Sequence, residues 1–142
     1  MASSSRAIAS LLFLVALMSL LITPAVSFRA YLGNGDLLVQ NDFIISSGLT
    51  LTLRDCKLEF RDLSYRLVWK SDNKEVGKSC TAGLNGDGLL VINSGTKDVW
   101  KSKNKSGGTF PFLVIIKEDK PYAAEIIDRN NEVLWSSIKG NN

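Results

Sequence analysis

Short apolar runs alternate with polar turns along most of the chain, and the spacing within these runs predicts strands. Residues 49–53 alternate Leu with Thr, which is the period-two pattern of a half-buried strand. Residues 89–92 are continuously apolar, as expected of a buried strand, and Asp87-Gly88 before them is a hairpin signal because Gly accepts a positive φ. No stretch after residue 28 keeps a helical period, so the sequence predicts an all-β protein of about twelve short antiparallel strands.

The segments on either side of these runs extend the pattern. Before residue 49, apolar and turn residues fall at steps of three from Leu32 to Ile44, which indicates short strands joined by tight turns. Polar turns and linkers separate the remaining predicted strands, which are residues 66–70, 98–101, 110–116, 122–127 and 132–136.

One sequence unit occurs three times in the chain. An Asp recurs at a spacing of 32 residues and is followed 13 to 16 residues later by a Trp that has an aliphatic residue before it. The Asp residues are Asp55, Asp87 and Asp119, and the Trp residues are Trp69, Trp100 and Trp135. This period indicates three copies of one supersecondary unit, each too small to bury its apolar face alone. Each Trp lies on an apolar strand, so we expect the three to pack together in the core rather than to stack on a ligand.

The first part of the chain has the pattern of an export signal. Arg6 gives a positive start, residues 11–22 are almost wholly apolar, and Ala25-Val26-Ser27 supplies small residues at a cleavage site. We predict a signal peptide at residues 1–27 and one domain at residues 28–142, secreted, with the vacuole as the alternative destination. A transmembrane anchor is the competing interpretation, because the uncharged run is about long enough to cross a bilayer. Pro24 and the small residues argue against it, and no membrane insertion is expected after cleavage.

Composition narrows the function. The 115 residues after position 27 are enough for one domain with a core. Removing Arg6 lowers the formal charge from +3 to +2, which is too small and scattered to indicate nucleic-acid binding. The chain has no His, no glycine-rich phosphate loop and no metal-ligand pattern. We therefore expect no enzyme activity, no cofactor and no metal.

Two further motifs concern covalent modification. Cys56 and Cys80 are the only cysteines, and an exported chain meets an oxidising compartment. A disulfide is therefore predicted in preference to two free thiols or half of a metal site. Asn104-Lys105-Ser106 is the one N-glycosylation sequon, in a polar segment typical of an exposed loop, so Asn104 is a candidate for glycosylation.

Taken together, these features resemble the monocot mannose-binding, or bulb-type, lectin family over residues 28–142. The opening Gly and Leu residues at steps of three match the family's first strands, the two cysteines match its intrachain disulfide, and the three Trp residues match its central cluster. The resemblance implies a threefold β-prism in which each sheet carries a mannose site, read by Gln-x-Asp-x-Asn-x-Val-x-Tyr. It also implies a homodimer or heterodimer formed by exchange of the C-terminal strand, here residues 132–136.

The second unit matches this sugar motif best. Alternate residues of a strand project from one face, so the five motif side chains would line one groove. The matching residues are Asn85, Asp87, Leu89, Val91 and Asn93. Asp and Val are kept, but a shorter amide replaces Gln, and Leu89 and Asn93 replace Asn and Tyr. We expect mannose binding here to be weak or absent, because Leu89 can neither donate nor accept a hydrogen bond.

The first and third units keep only the Asp of the motif. In the first unit the motif falls on Leu53, or on Arg54 if one residue is deleted, and then on Asp55, Lys57, Glu59 and Arg61. In the third it falls on Lys117, Asp119, Pro121, Ala123 and Glu125. An Asp in a tight turn also binds backbone N–H groups for structural reasons alone. We favour that structural role for Asp55 and Asp119, and for Asp87 the two interpretations stand level.

Three functions from different classes remain. The first is a secreted lectin-like protein that binds glycans or glycoproteins of the mannose type, as the resemblance implies. The second is a protein of the same fold that has lost sugar binding and acts as an interaction or defence protein. The third is an enzyme, for which only paired carboxylates remain as candidate acid and base. Nothing in the sequence places two carboxylates together in an apolar pocket.

Overall fold

The computed structural model describes residues 2–20 and 28–138. One helix, α1, spans Ala2–Leu20, and twelve short strands follow it. In chain order the strands are β1 (Tyr31–Gly33), β2 (Leu37–Leu38), β3 (Phe43–Ser46), β4 (Leu49–Arg54), β5 (Lys57–Arg61), β6 (Leu67–Lys70), β7 (Cys80–Leu84), β8 (Leu90–Ser94), β9 (Lys97–Lys101), β10 (Leu113–Lys117), β11 (Ala123–Ile127) and β12 (Val133–Ser136). The all-β prediction is confirmed for the described residues after position 28.

The helix covers much of the predicted signal peptide. Its side chains at residues 5–15 are exposed. The predicted cleavage residues, Ala25 to Ser27, lie outside the described residues, so the signal peptide stays a prediction. Within residues 2–20 and 28–138, no helix has both the length and the apolar character needed to cross a bilayer.

The strands form three antiparallel sheets of four strands each. The first sheet has the order β3-β4-β5-β6, the second β2-β7-β8-β9 and the third β1-β10-β11-β12. Each sheet therefore combines one of the three opening strands with three strands that are consecutive in sequence. This topology explains the steps of three near the start of the domain, because Leu32, Leu38 and Ile44 each fill the core from a different sheet and are 0% exposed. The threefold β-prism that the resemblance implies is confirmed.

Two repeated contacts define which residues are equivalent in the three units. Each Trp lies opposite an apolar residue of the preceding strand, and a bulge follows at that point. The pairs are Phe60 with Trp69, Ile92 with Trp100 and Ile126 with Trp135. The hydroxyl of a Ser two residues after each Trp accepts a hydrogen bond from a backbone N–H of the middle strand. These bonds join Ser71 to Leu58, Ser102 to Leu90 and Ser137 to Ala124, at 2.9 to 3.0 Å.

The three Trp residues meet at the centre and connect the sheets. Their ring centroids are 5.3 to 5.9 Å apart and the rings are packed edge to face, which is the favoured geometry for aromatic pairs. Trp135 is 4% exposed, whereas Trp69 and Trp100 are half-buried against the core. We call these three residues the Trp cluster.

The predicted disulfide between Cys56 and Cys80 is confirmed, with 5.2 Å between the Cα atoms. It joins the β4–β5 hairpin of the first sheet to the start of β7 in the second sheet. Sequence reasoning missed β7 itself, because Ala82 and Gly83 have little strand preference. Sequence reasoning also predicted a strand that begins at Phe110. In the structure this strand, β10, begins only at Leu113, because Pro111 before it has no N–H to donate to a ladder.

Candidate functional site

The repeated Trp and Ser contacts fix which residues stand at each position of the sugar motif. The Gln position is held by Arg54, Asn85 and Lys117. Each of these directly follows a buried residue that pairs with the next strand of its hairpin. The Asn position is held by Lys57, Leu89 and Ala123; the Val position by Glu59, Val91 and Glu125; and the Tyr position by Arg61, Asn93 and Ile127. The predicted register of the second unit is the reference for the other two units.

Two sequence-based alignments need correction. In the first unit Leu53 is 0% exposed in the core, and Arg54 stands at the Gln position, as the one-residue deletion would require. In the third unit Pro121 does not occupy the Asn position, which Ala123 holds instead. The reason is loop length. The loop of the third hairpin takes residues 118–122, whereas the loop of the second hairpin takes only residues 86–88. The last motif positions of the third unit thus move by two residues, to Glu125 and Ile127.

A groove of about 270 Å³ lies on the outer face of the second sheet. Three of the five predicted motif residues line it, namely Asn85, Val91 and Asn93. Asp36 and Asp98, which sequence reasoning did not select, also line it, together with Gly35, Leu37, Gly83 and Leu84. The groove thus combines aliphatic carbons with amide and carboxylate groups, a composition typical of small-molecule sites.

The side-chain oxygen of Asn85 is used within its own hairpin. Its Oδ1 accepts hydrogen bonds from the backbone N–H groups of Asp87, at 3.0 Å, and Leu89, at 2.9 Å. The Asn85 carbonyl also accepts a hydrogen bond from the Asn34 side-chain amide, at 2.6 Å. These bonds hold the hairpin that places Asn85 at the groove, and they leave its Oδ1 committed to the backbone.

The two carboxylates of the groove differ in their partners. Asp98 lies opposite Asn93 in the β8–β9 hairpin, where its Oδ1 accepts a hydrogen bond from the Asn93 amide. Its other oxygen lies 3.2 Å from the Lys101 ammonium. Asp36 Oδ2 accepts a hydrogen bond from the Gly33 backbone N–H, at 2.8 Å. The signal for Asp98 in the sequence was its position across a short turn from Asn93, which places the two side chains on one face.

Asp87 and Leu89 are placed differently from the other motif residues. Asp87 is exposed on the hairpin loop, and neither residue lines the groove. Gly88 between them has φ +81°, and a Cβ there would come within 2.9 Å of the Phe112 ring. The structure therefore has the turn that Asp87-Gly88 predicted. Glycine is required at position 88 for two reasons, the positive φ of the turn and the close approach of the Phe112 ring.

The equivalent face of the first sheet is filled by its own side chains. Arg61 forms an ion pair with Glu59, at 2.8 Å, and its guanidinium lies 4.8 Å from the centre of the Tyr65 ring. Arg54 donates a hydrogen bond to the Tyr65 hydroxyl at 3.0 Å, and this bond raises the pKa of Arg54. The Lys57 ammonium is bound to backbone carbonyls of the linker. The Gln, Asn, Val and Tyr positions of this face are therefore held by charged side chains that already have partners within the protein.

Asp55 has a structural role in the same unit. It forms a two-residue turn with Cys56, and both residues have a positive φ. The Asp55 carboxylate accepts a hydrogen bond from the Gly77 N–H at 2.8 Å, and the Asp55 N–H donates to the Gln40 side chain. These contacts fit the structural role that the sequence favours for Asp55, in which the carboxylate of a turn Asp binds backbone N–H groups.

The third sheet presents charged and aliphatic side chains together at the motif positions, with Lys117 at the Gln position and Glu125 at the Val position. Ala123 is 0% exposed and Ile127 stands where the motif has Tyr. Asp119 is exposed on the loop at residues 118–122. Glu118 beside it accepts a hydrogen bond from the Ser46 hydroxyl, which lowers the pKa of that carboxyl. The structure does not bring Asp119 together with the other motif positions of its unit.

The candidate glycosylation residue, Asn104, is half-buried and bound through both ends of its amide. Its Nδ2 donates to the Gly88 carbonyl at 2.6 Å, and its Oδ1 accepts from the Ser102 hydroxyl at 2.7 Å. Asn73 makes the same pair of contacts in the first unit, to Cys56 and Ser71. Asn104 thus anchors the hairpin behind the groove, and its glycosylation stays a prediction.

The fold and the groove define the class of protein that the chain resembles, a threefold β-prism of the bulb-type lectin kind. Solved structures bear this out. A monomeric monocot mannose-binding lectin from Gastrodia elata is 25% identical, with a TM-score of 0.68 over 79% of this chain and 99% of that chain. The snowdrop (Galanthus nivalis) mannose-specific agglutinin is 23% identical, with a TM-score of 0.58 over 71% and 93% of the two chains. A lectin from Remusatia vivipara is 25% identical, with a TM-score of 0.56 over 69% and 87%.

These similarities confirm the resemblance that the sequence indicated. No family model matches the chain, and the search of curated proteins found no match. The fold is therefore recognised through structure at sequence identities of about a quarter.

Proposed function

We propose that the protein is a lectin-like carbohydrate-binding protein whose groove on the second sheet takes a mannose-type sugar weakly. The observation that supports this is the groove itself, at the motif positions of a chain whose fold covers 99% of a monocot mannose-binding lectin. Val91 and Leu37 offer an apolar surface to the ring, and Asp36, Asn93 and Asp98 offer groups for its hydroxyls.

We expect the site to be weak because two of its polar side chains already form hydrogen bonds within the protein. Asn85 Oδ1 is bound to its own hairpin, and Asn93 is bound to Asp98. A monosaccharide site that works near millimolar has only about 4 kcal/mol of binding free energy. Each buried hydrogen bond that goes unmade costs roughly 1 to 3 kcal/mol. Two such losses, at Leu89 and Asn93, bring a single site close to the limit of detection.

The test is to rebuild the motif at this one site. We expect no agglutination of mannose-bearing cells by the natural protein, and measurable mannose binding after Leu89→Asn together with Asn93→Tyr. The substitutions add an amide and a hydroxyl, and the second one also releases Asp98 from its partner. Titration with methyl mannoside, followed by NMR of the labelled protein, measures the affinity.

A matched control places the same two residue types at the equivalent positions of the first sheet, as Lys57→Asn with Arg61→Tyr. We expect no binding there, because Arg54 and Glu59 remain on that face. Adding Asp87→Ala to the rebuilt second site should abolish binding if Asp87 holds the sugar. Strong mannose binding by the natural protein that survives Asp87→Ala and also survives Asp36→Ala with Asp98→Ala would contradict our location of the site at this groove.

A second candidate function is an interaction or defence protein without sugar binding. The observation that favours it is the first face, where Arg54, Glu59, Arg61 and Tyr65 bind one another. A glycan array separates the two functions. Binding of any mannose-type glycan by the natural protein supports the lectin, and an array without signal, together with a functional rebuilt site, supports the second candidate.

The proposal is binding without turnover, in a protein exported by cleavage before Phe28. The solved structures that the chain resembles are lectins, and within residues 2–20 and 28–138 no group of His, Cys, Asp or Glu could hold a metal ion. A glycosidase screen detects turnover if it occurs. The mass of the exported protein tests cleavage, since a chain that retains residues 1–27 would contradict the signal peptide.

A further inference from the structure

A second cavity, of about 320 Å³, opens at the Trp cluster where β6, β9 and β12 end. All three Trp residues of the chain line it. Its remaining lining consists of Lys70, Asp72, Lys101 and Lys103. The cavity is separate from the sugar groove, with which it shares no lining residue.

The charges around this cavity are mainly positive. Three ammonium groups face one carboxylate, which leaves two net positive charges among the lining residues. Lys101 is paired with Asp98, at 3.2 Å. Lys70 and Lys103 are exposed and form no ion pair within the described part of the chain. A concave site with low-dielectric walls concentrates the field of such charges and attracts anions.

The aromatic surface of the cavity comes chiefly from two of the three indoles. Trp135 is 4% exposed, but Trp69 and Trp100 keep part of their surface accessible. Edge-to-face packing within the cluster leaves ring surface on which a flat apolar group can pack. Core packing accounts for the cluster itself, but it does not require cations beside the accessible indoles.

The charge pattern is not a product of the threefold repeat. Lys70 and Lys101 follow the first two Trp residues, whereas Ser136 follows the third. One residue after the repeated Ser, the chain has Asp72, Lys103 and Ile138 in turn. Among the described residues, the first two units therefore supply all the charge of the lining, and the third supplies an apolar wall through Trp135.

We propose that this cavity binds a small organic anion with a flat apolar body, of the aryl carboxylate or aryl sulfonate class. The indoles would contact the ring and Lys70 and Lys103 would contact the acid group. An organic cation would also be attracted by the indoles, but it would have to approach three ammonium groups. The volume lies at the lower end of the range for ligand pockets, roughly 300 Å³, which suits one or two fused rings.

The indole N–H resonances of the labelled protein give a direct test, because the chain has three Trp residues and all of them line the cavity. Naphthalene-2-sulfonate is the probe, and naphthalene-2-methanol is its neutral counterpart. We expect the sulfonate to shift the indole resonances in a saturable way, and the alcohol to bind about tenfold more weakly or more weakly still. Sodium sulfate tests whether the charge alone is sufficient, and we expect no saturable shift.

The variant that tests the charge is Lys70→Gln with Lys103→Gln, and Lys74→Gln with Lys78→Gln is its matched control. All four lysines are exposed, and the control pair removes the same charge away from the cavity. We expect about a tenfold loss of sulfonate affinity in the first variant and less than a twofold loss in the control. The indole resonances of the free variants show that the cluster remains folded.

Four results would overturn the proposal: no saturable shift with the sulfonate, equal affinity for the alcohol, a saturable shift with sulfate alone, or equal losses in the two lysine variants. The outcome does not depend on the sugar site. The Lys70→Gln, Lys103→Gln variant should keep the mannose response of the rebuilt groove, because neither lysine lines that groove.

Discussion

Asp62 and Asp128 hold equivalent turns in the first and third units, and each carboxylate accepts hydrogen bonds from two backbone N–H groups of its own turn. Asp128 accepts hydrogen bonds from Asn130 and Glu132 through one oxygen and from Thr109 through the other. Asp62 accepts bonds from the Ser64 and Arg66 backbone N–H groups through one oxygen, and its other oxygen accepts from the Arg66 guanidinium. The backbone bond from Arg66 lowers the pKa of Asp62, and that from Glu132 lowers the pKa of Asp128, because both favour the charged carboxylate.

These lowered pKa values predict an acid-dependent loss of stability. Unfolded Asp titrates near pH 3.9, so a lowered folded pKa adds stability above about pH 4 that disappears as the pH falls through the folded pKa. We expect Asp128→Asn to lower the thermal midpoint by several degrees at pH 7. The difference from the natural protein should shrink below about pH 4, where that protein's own carboxylates become protonated.

The control for this experiment is Asp119→Asn, at an exposed carboxylate with no hydrogen bond to any described residue. This substitution should leave the thermal midpoint unchanged both at pH 7 and below about pH 4. A deficit of Asp128→Asn that stays constant from pH 7 to pH 3 would show that the carboxylate charge does not stabilise the turn.

Register is decided by hairpin closure rather than by residue type. In the first hairpin Arg54 pairs with Lys57 across a two-residue turn, whereas in the third Lys117 pairs with Ala123. The alternating pattern predicts which strand residues share a face, but it does not show how many residues the connecting loop takes. Trp135 follows Asp119 at a greater distance than in the other units, and the long loop at 118–122 explains part of this.

The disulfide ties the β4–β5 hairpin of the first sheet to the start of β7 in the second, and we expect it to contribute much of the stability. Cys56 and Cys80 are 24 residues apart, and closing a loop of that size is worth about 3 kcal/mol in the chain-entropy treatment. Reduction should therefore lower the thermal midpoint by on the order of 10 °C. The Cys56→Ala, Cys80→Ala variant should have the lower midpoint and no response to reductant. An unchanged midpoint of the natural protein in reductant would contradict this expectation.

The predicted dimer concerns β12, the strand at the end of the third sheet. In the structure β12 pairs with β11 of its own chain and brings Trp135 into the cluster. The lectin from Gastrodia elata that this chain resembles is monomeric. A dimer formed by strand exchange stays a prediction for this protein. It would require the turn at residues 128–132, which the Asp128 carboxylate holds, to open.

An exchanged dimer would make the same strand contacts as the closed chain, so its population should follow concentration. We expect light scattering at micromolar concentration to give a mass above that of one chain, rising toward that of two chains as the concentration increases. Asp128→Asn loosens the turn and should raise the dimer fraction at a given concentration. A mass of one chain for both proteins at micromolar concentration would count against strand exchange.

The sequence by itself determined the all-β class, the three units, the disulfide and the meeting of the three Trp residues. These features are local or repeated: alternation reports a half-buried strand, and an equal spacing places equivalent residues on equivalent strands. It also identified the second unit as the one nearest to a sugar motif, because residue identity at alternate positions is enough to compare the units.

Only the tertiary structure decided which side chains remain available for a ligand. The side-chain oxygen of Asn85 accepts hydrogen bonds from the backbone N–H groups of Asp87 and Leu89, so it is used within its own hairpin and not by a sugar. Asn93 is bound by Asp98, and the lysines beside the Trp cluster form a cavity only because three sheets converge there. These contacts depend on loop closure and on residues from separate strands, which a linear pattern does not specify.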